Sequence, residues 1–184
     1  MKLAILIIDM VQDTFDEYYP ITKHAQSIVP AVNRLNQWAR DSQFPVIFSC
    51  DSFLEGDFLF QGRMKPHSIR GTKGALVARE LHQEPEDTFL PKRRFSAFFK
   101  TDLDQTLRLW GVDTVAVAGI STQFCVLATI FDALCNDFRA ILVEDACAAA
   151  DPVIHRNVVD HYRRSPLYPL LQVMTCDQLI EHVN

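Results

Sequence analysis

Four side chains able to do chemistry stand at or just beyond apolar runs: Asp9 closes Leu3–Ile8, Asp51 closes Phe44–Cys50, Lys92 follows Thr88–Pro91, and Cys125 follows Thr114–Gly119. A carboxylate, an ammonium and a thiol in such positions suggest nucleophilic attack by sulfur. A free thiol titrates near ~8.5, and a helix N-terminus beside a cation lowers that by about one to several units. On this ground the Cys125 thiolate is expected to be accessible near neutral pH. The same helix start offers backbone N–H groups for a developing oxyanion, and Gly119 permits a tight approach. Asp9 is placed to take the thiol proton and return it to a leaving amine. Lys92 would hold the pair together. Its strand need not adjoin the first, and neighbouring strands lie ~4.8 Å apart, so spacing alone does not bring it there.

These residues need a parallel sheet to gather them. Leu3–Ile8 is continuously apolar, as a central strand covered on both faces requires. Further strands are expected at 44–51, 88–91, 114–119, 140–143 and 170–174. The intervening helices are read from Ser27 as cap with Pro30 in the first turn, from Thr101 to Gly111, over Gln123–Asn136, and from Asp151-Pro152 through Tyr162. Leu103, Leu107 and Trp110 should stripe one helix inward, and Val126, Ile130, Phe131 and Leu134 another. The α/β alternation predicts a single domain over residues 1–184. Its core would be a doubly wound sheet of about six mainly parallel strands flanked by helices, in Rossmann-type order, with ligands at the strands' carboxyl ends.

Composition removes several alternatives. In a chain of 184 residues with 48% hydrophobic and 22% charged residues, the formal charge of −5 gives no reason to gather on nucleic acid or an anionic membrane. The apolar run at the N-terminus is short, ends in Asp9 and reads as a buried strand rather than a signal peptide. Five cysteines, odd in number and without CxxC spacing, imply reduced thiols and a cytoplasmic protein. Cys50, Cys135 and Cys147 are read as packing residues. No GxGxxG fingerprint follows the first strand, which argues against dinucleotide binding. A phosphate-accepting receiver-like signalling domain with Asp9 and Asp51 at its strand ends is a weaker reading. So is a catalytically silent small-molecule binding protein.

Four segments together resemble the isochorismatase-like cysteine hydrolases, which include nicotinamidases. They are Ala4–Met10, Pro66–Ala75, Lys92–Phe98 and Gly119–Val126, in that order along nearly the whole chain. The resemblance implies an Asp–Lys–Cys triad at Asp9, Lys92 and Cys125. It also implies a cis peptide at Ile120-Ser121 and an oxyanion hole from the backbone N–H groups of Ser121 and Cys125. Isochorismatases proper lack the cysteine, so Cys125 favours the amidase branch, in which a thioester forms and ammonia or an amine leaves. Dimers or larger homo-oligomers are common in the family.

The sequence departs from nicotinamidases after the second strand, where their Asp-x-His metal pair becomes Asp51-Ser52-Phe53. Asp51 and His67 remain as candidate ligands for zinc or manganese, with Glu55 and Asp57 as substitutes. The triad itself requires no cofactor, and the alternative reading has His67 ordering its loop through hydrogen bonds. Phe15 falls one residue late relative to the family's first-motif aromatic. Phe15, Phe53 and Phe58 are the candidate substrate contacts, and Phe53 argues that the substrate is not nicotinamide.

Overall fold

The computed structural model describes residues 1–16 and 19–183. Six strands form one parallel sheet: β1 (Leu3–Ile8), β2 (Val46–Asp51), β3 (Thr88–Lys92), β4 (Thr114–Ile120), β5 (Arg139–Ala148) and β6 (Leu171–Met174), in the order β3-β2-β1-β4-β5-β6. Chain order therefore reverses between β1 and β4, which makes the gap beyond their carboxyl ends the switch point where such sheets bind ligands.

Strand alternation divides the core in two. Leu3, Ile5 and Ile7 of β1 face one apolar layer with α2 (Thr22–Asp41) and α6 (Cys176–Val183), through Ala25, Ile28, Val32, Leu35 and Leu179. Ala4, Leu6 and Ile8 face the other with α3 (Leu103–Leu109), α4 (Leu127–Cys135) and α5 (Pro152–Arg163), through Leu107, Ile130 and Val159. A strand covered on both faces must be apolar throughout, and β1 is buried at all six positions. Proline interrupts β3 at Pro91, and β3 is an edge strand, where the missing donor costs no ladder bond.

Several boundaries differ from expectation. Helix α2 begins at Thr22, five residues before Ser27, and Pro30 lies inside it. Ser27 donates back to the His24 carbonyl and caps nothing. A short helix α1 (Gln12–Asp16) follows β1, and α6 closes the chain; neither was expected. β5 continues past the charged Glu144-Asp145 pair because an irregularity opposite Val117–Gly119 lets Glu144 reach Arg163 while Asp145 accepts from the Cys176 N–H. Trp110, Phe131 and Cys135 are exposed rather than packed inward. Asp151 fulfils its expected cap, accepting from the Val153 N–H at 2.8 Å, and Thr101 accepts from the Leu103 N–H at 3.3 Å where α3 begins. No described helix is long and apolar enough to cross a membrane.

Candidate active site

Each chemically competent residue sits where its strand stops. Asp9 ends β1 in the left-handed region, φ 53°, a conformation that aspartate tolerates better than most side chains. Its Oδ1 accepts the backbone N–H of Asp51 at 2.8 Å, tying β1 to the end of β2. Asp51 and Lys92 are direct neighbours in the β2–β3 register. The lysine therefore reaches across the end of β2, placing Nζ 2.7 Å from Asp9 Oδ2 and 2.5 Å from Asp51 Oδ1, with no exposure of its side chain. This topology supplies the placement that strand spacing alone left open.

The sulfur arrives from β4. Gly119 has φ +107°, and a Cβ there would lie 2.1 Å from the Ile8 carbonyl oxygen, so only glycine lets β4 end against β1 in this way. The Ile120-Ser121 peptide bond is cis. A π-helical turn, Thr122–Val126, then leads into α4 and carries Cys125, which is 8% exposed. One oxygen of Asp9, one of Asp51 and Sγ of Cys125 all lie within 4.8 Å of one another.

The electrostatics of this cluster differ from the expectation for the thiol. Burial pushes Cys125 well above the usual thiol range, Asp9 and Asp51 add to that, and a hydrogen bond from the thiol to Asp9 favours the protonated form; Lys92 pulls the other way. Burial and the carboxylates together outweigh the ammonium, so the resting sulfur keeps its proton. Burial alone would lower Lys92, yet Asp9 and Asp51 raise it and hold it charged. Asp51 is pushed up to about 7, first by burial and then by Asp9, against the pull of Lys92.

Surrounding contacts fix the sulfur's turn. Thr129 Oγ1 donates to the Cys125 carbonyl at 2.8 Å and accepts the Ala97 N–H at 3.0 Å, joining α4 to the segment after Lys92. Thr122, fully buried, meets His155 Nδ1 of α5 at 2.9 Å. Asp13 of α1 accepts the Ser68 N–H at 2.6 Å and lies so near Gly74 that a Cβ there would collide with its carboxylate, which folds the 68–74 loop against α1. Phe124 and Phe95 stack with centroids 6.1 Å apart, beside the nucleophile and three residues past Lys92. None of these partners was singled out from sequence. Adjacency to Cys125 and Lys92 was the available signal for the two phenylalanines.

The remaining expected contacts do not converge on the sulfur. Phe15 packs in the α2-side core, because α1 turns its apolar side inward. Phe53 is 2% exposed, edge-on to Phe60 and His67. Phe58 is 66% exposed on a short 3-10 turn. Among the described residues, the three-member group with ligand-type atoms is Asp9, Asp51 and Cys125, and His67 is outside it. The His67 ring is spent on Phe53 and Phe60, and its Nδ1 lies 2.9 Å from the Lys65 carbonyl. The Lys92 ammonium already neutralises Asp51. The group that holds Asp51 therefore brings in Asp9 and Cys125 in place of His67. Asp57, offered as a substitute ligand, is bound by Arg93 and Arg94 instead.

A doubly wound α/β fold with a carboxylate, lysine and cysteine at its switch point defines a class of small hydrolases. Residues 3–178 match the isochorismatase domain model, and the chain belongs to the isochorismatase family. It is similar to a probable inactive nicotinamidase of Arabidopsis thaliana, at 37% identity over 85% of this chain and 86% of that one. Among solved structures it is similar to an isochorismatase-like hydrolase from Alkaliphilus metalliredigens, with TM-score 0.89, 30% identity and full coverage of both chains. An N-carbamoylsarcosine amidase from Thermoplasma acidophilum matches with TM-score 0.84 and 33% identity, over 96% of this chain and 98% of that one. Family membership makes the chain a hydrolase and displaces the receiver-domain reading.

Proposed function

We propose that the protein hydrolyses the C–N bond of a small carboxamide or related compound through a thioester on Cys125. The convergence of Sγ with the Asp9 and Asp51 oxygens within 4.8 Å, under the Lys92 ammonium, carries this reading. As sulfur attacks the carbonyl carbon, its proton passes to Asp9 and a C–S bond forms. The oxyanion rests on the backbone N–H groups of Ser121 and Cys125. Collapse breaks the C–N bond, and Asp9 gives its proton to the departing nitrogen. Water then attacks the thioester, losing a proton to Asp9. The C–S bond breaks, the acid leaves, and the sulfur recovers its proton. Lys92 keeps Asp9 in position and lowers the cost of the transient thiolate. A neutral resting thiol suits this sequence, because the base stands next to the proton it must remove.

No divalent metal enters these steps. Phe53, packed where a nicotinamidase would hold a ligand, supports a substrate other than nicotinamide. All five cysteines are free, in keeping with a cytoplasmic setting. Exposed Phe95, Phe124 and Phe131 near the site support a homo-oligomer.

The test is a screen of carboxamides, carbamates and ureido acids with ammonia detection, combined with intact-mass analysis. We expect turnover and an acyl adduct in the wild-type protein, and no adduct with at least a ~10³-fold loss of rate in Cys125→Ala. Turnover that survives Cys125→Ala would overturn the mechanism. Binding of a carboxamide without product or adduct would favour the silent reading that the Arabidopsis relative's name raises.

A further inference from the structure

A second concentration of charge lies beside β3, outside the thiol cluster. A pocket of about 290 Å³ is walled by Arg70, Arg93, Arg94 and Lys100, together with Lys92. The Lys92 ammonium is committed to Asp9 and Asp51 and its side chain has no exposure, so four other cations supply the pocket's charge. Among the described residues, the carboxylate that pairs with them is Asp57, through Arg93 and Arg94. Four positive charges against one negative leave an excess of three, in a chain whose formal charge is −5.

The three arginines are held in place by hydrogen bonds. Arg93 donates from Nε and Nη2 to Asp57 Oδ2 at 3.0 and 2.8 Å, and Arg94 donates from Nη1 to Oδ1 at 3.0 Å. The Asp57 side chain is fully buried beneath them. Arg70 donates from Nε to Ser52 Oγ at 3.0 Å. Guanidinium groups pinned in this way have already lost their rotamer freedom, yet each keeps N–H groups with no protein partner among the described residues. Holding like charges around one cavity is unfavourable unless an anion enters it.

We propose that this pocket binds the phosphate group of a small phosphate monoester. Arginine forks match the oxygens of a phosphate in paired hydrogen bonds, and a dianion answers an excess of three positive charges better than a single carboxylate does. The volume lies at the lower end of ligand cavities, roughly 300–1,000 Å³, and suits a phosphate with a short carbon stem. The pocket shares only Lys92 with the thiol cluster, and the Lys92 ammonium is held by Asp9 and Asp51, so the anion would rest on the three arginines and Lys100 rather than on the hydrolytic groups.

The full-length protein titrated calorimetrically with glycerol 3-phosphate and with inorganic phosphate, at ionic strength fixed by chloride, tests the site. One-to-one saturable binding is expected, weakened at least about tenfold in Arg70→Gln/Lys100→Gln, which is a loss of about 1.4 kcal/mol. Both substituted residues are exposed and lie outside the thiol cluster; Lys100→Gln alone serves if the double variant does not fold. The absence of saturable heat, or equal affinity in the variants, would overturn the proposal. Binding of glycerate as tightly as glycerol 3-phosphate would remove the phosphate assignment. Because no arm reads turnover, failure of the hydrolase reading leaves the result interpretable.

Discussion

Two charge clusters flank the same strand end and mirror one another. On one side a buried lysine serves two carboxylates beside the thiol; on the other a buried carboxylate, Asp57, serves two arginines beside the basic pocket. Their imbalances are opposite. Burial, reinforced by extra negative charge, keeps the sulfur protonated until a substrate and its base act together. Extra positive charge holds Asp57 below the usual carboxylate range, chiefly through hydrogen bonds from Arg93 and despite burial. In each cluster the unpaired sign is the one that prepares the site for its partner: a proton acceptor for the thiol, and a cradle for an anion.

Removing the lysine should break the first cluster most severely. Lys92→Met leaves Asp9 and Asp51 facing each other without a counter-ion in a dry setting, a loss of the kind that costs about 3–5 kcal/mol. Urea unfolding at pH 8 should show it, and the deficit should shrink at pH 5 as the carboxyls take up protons. Hydrolysis should fall by about 10²–10³-fold, because the transient thiolate loses its cation. Stability at pH 8 matching the wild type would mean that the three groups are not coupled.

Removing one carboxylate should act in the opposite direction on sulfur. Asp51 raises the thiol, so Asp51→Asn should lower its pKa and speed iodoacetamide alkylation severalfold or more at pH 8. With Asp51 itself pushed up to about 7, the wild type carries a neutral carboxyl there at lower pH, and the two proteins should converge at pH 6. The stability consequence has a definite sign. A carboxyl that holds its proton more tightly when folded contributes stability fully below its unfolded pKa of about 3.9, and that contribution is lost as pH rises through about 7. Asp51→Asn should flatten that decline in unfolding free energy. Slower alkylation of the variant would show that Asp51 is not charged near the sulfur.

The location of this chemistry was legible because a parallel sheet collects reactive residues at its carboxyl edge. Asp9, Asp51, Lys92 and Cys125 each stand at or beyond the last apolar residue of a strand. The sign of the thiol's response was not legible. A helix start and a lysine suggest a lowered pKa, and only the strand order reveals that Asp51 also lies within reach of sulfur. Asp51 was assigned to a metal for the same reason: its pairing with Lys92 depends on β2–β3 register, which apolar pattern does not specify. Helix α6 was readable in principle from Cys176, Leu179 and Val183 at helical spacing, and β5 was cut short because Glu144 and Asp145 interrupt its apolar run. Phe53 and His67 show the general difficulty. An aromatic next to a strand end has the same sequence signature whether it lines a pocket or packs a loop.

The second cluster should respond more gently. Asp57→Asn keeps an acceptor for Arg93 and Arg94 but removes the charge between them, and both guanidiniums remain partly in water, at 42% and 33% side-chain exposure. Solvent screening limits the cost, so the thermal midpoint should drop by only about 2–4 °C. Removing the negative charge raises the excess around the pocket from three to four, and glycerol 3-phosphate should bind severalfold more tightly at low salt. The Debye length shrinks from about 10 Å at 0.1 M to about 3 Å at 1 M, so the gain should vanish in 1 M NaCl. Calorimetry at both salt concentrations separates this outcome from its rival, in which Asp57 acts mainly by holding the two forks in place. In that case Asp57→Asn weakens phosphate binding at every ionic strength, and geometry rather than net charge distinguishes the basic cluster from the one around Cys125.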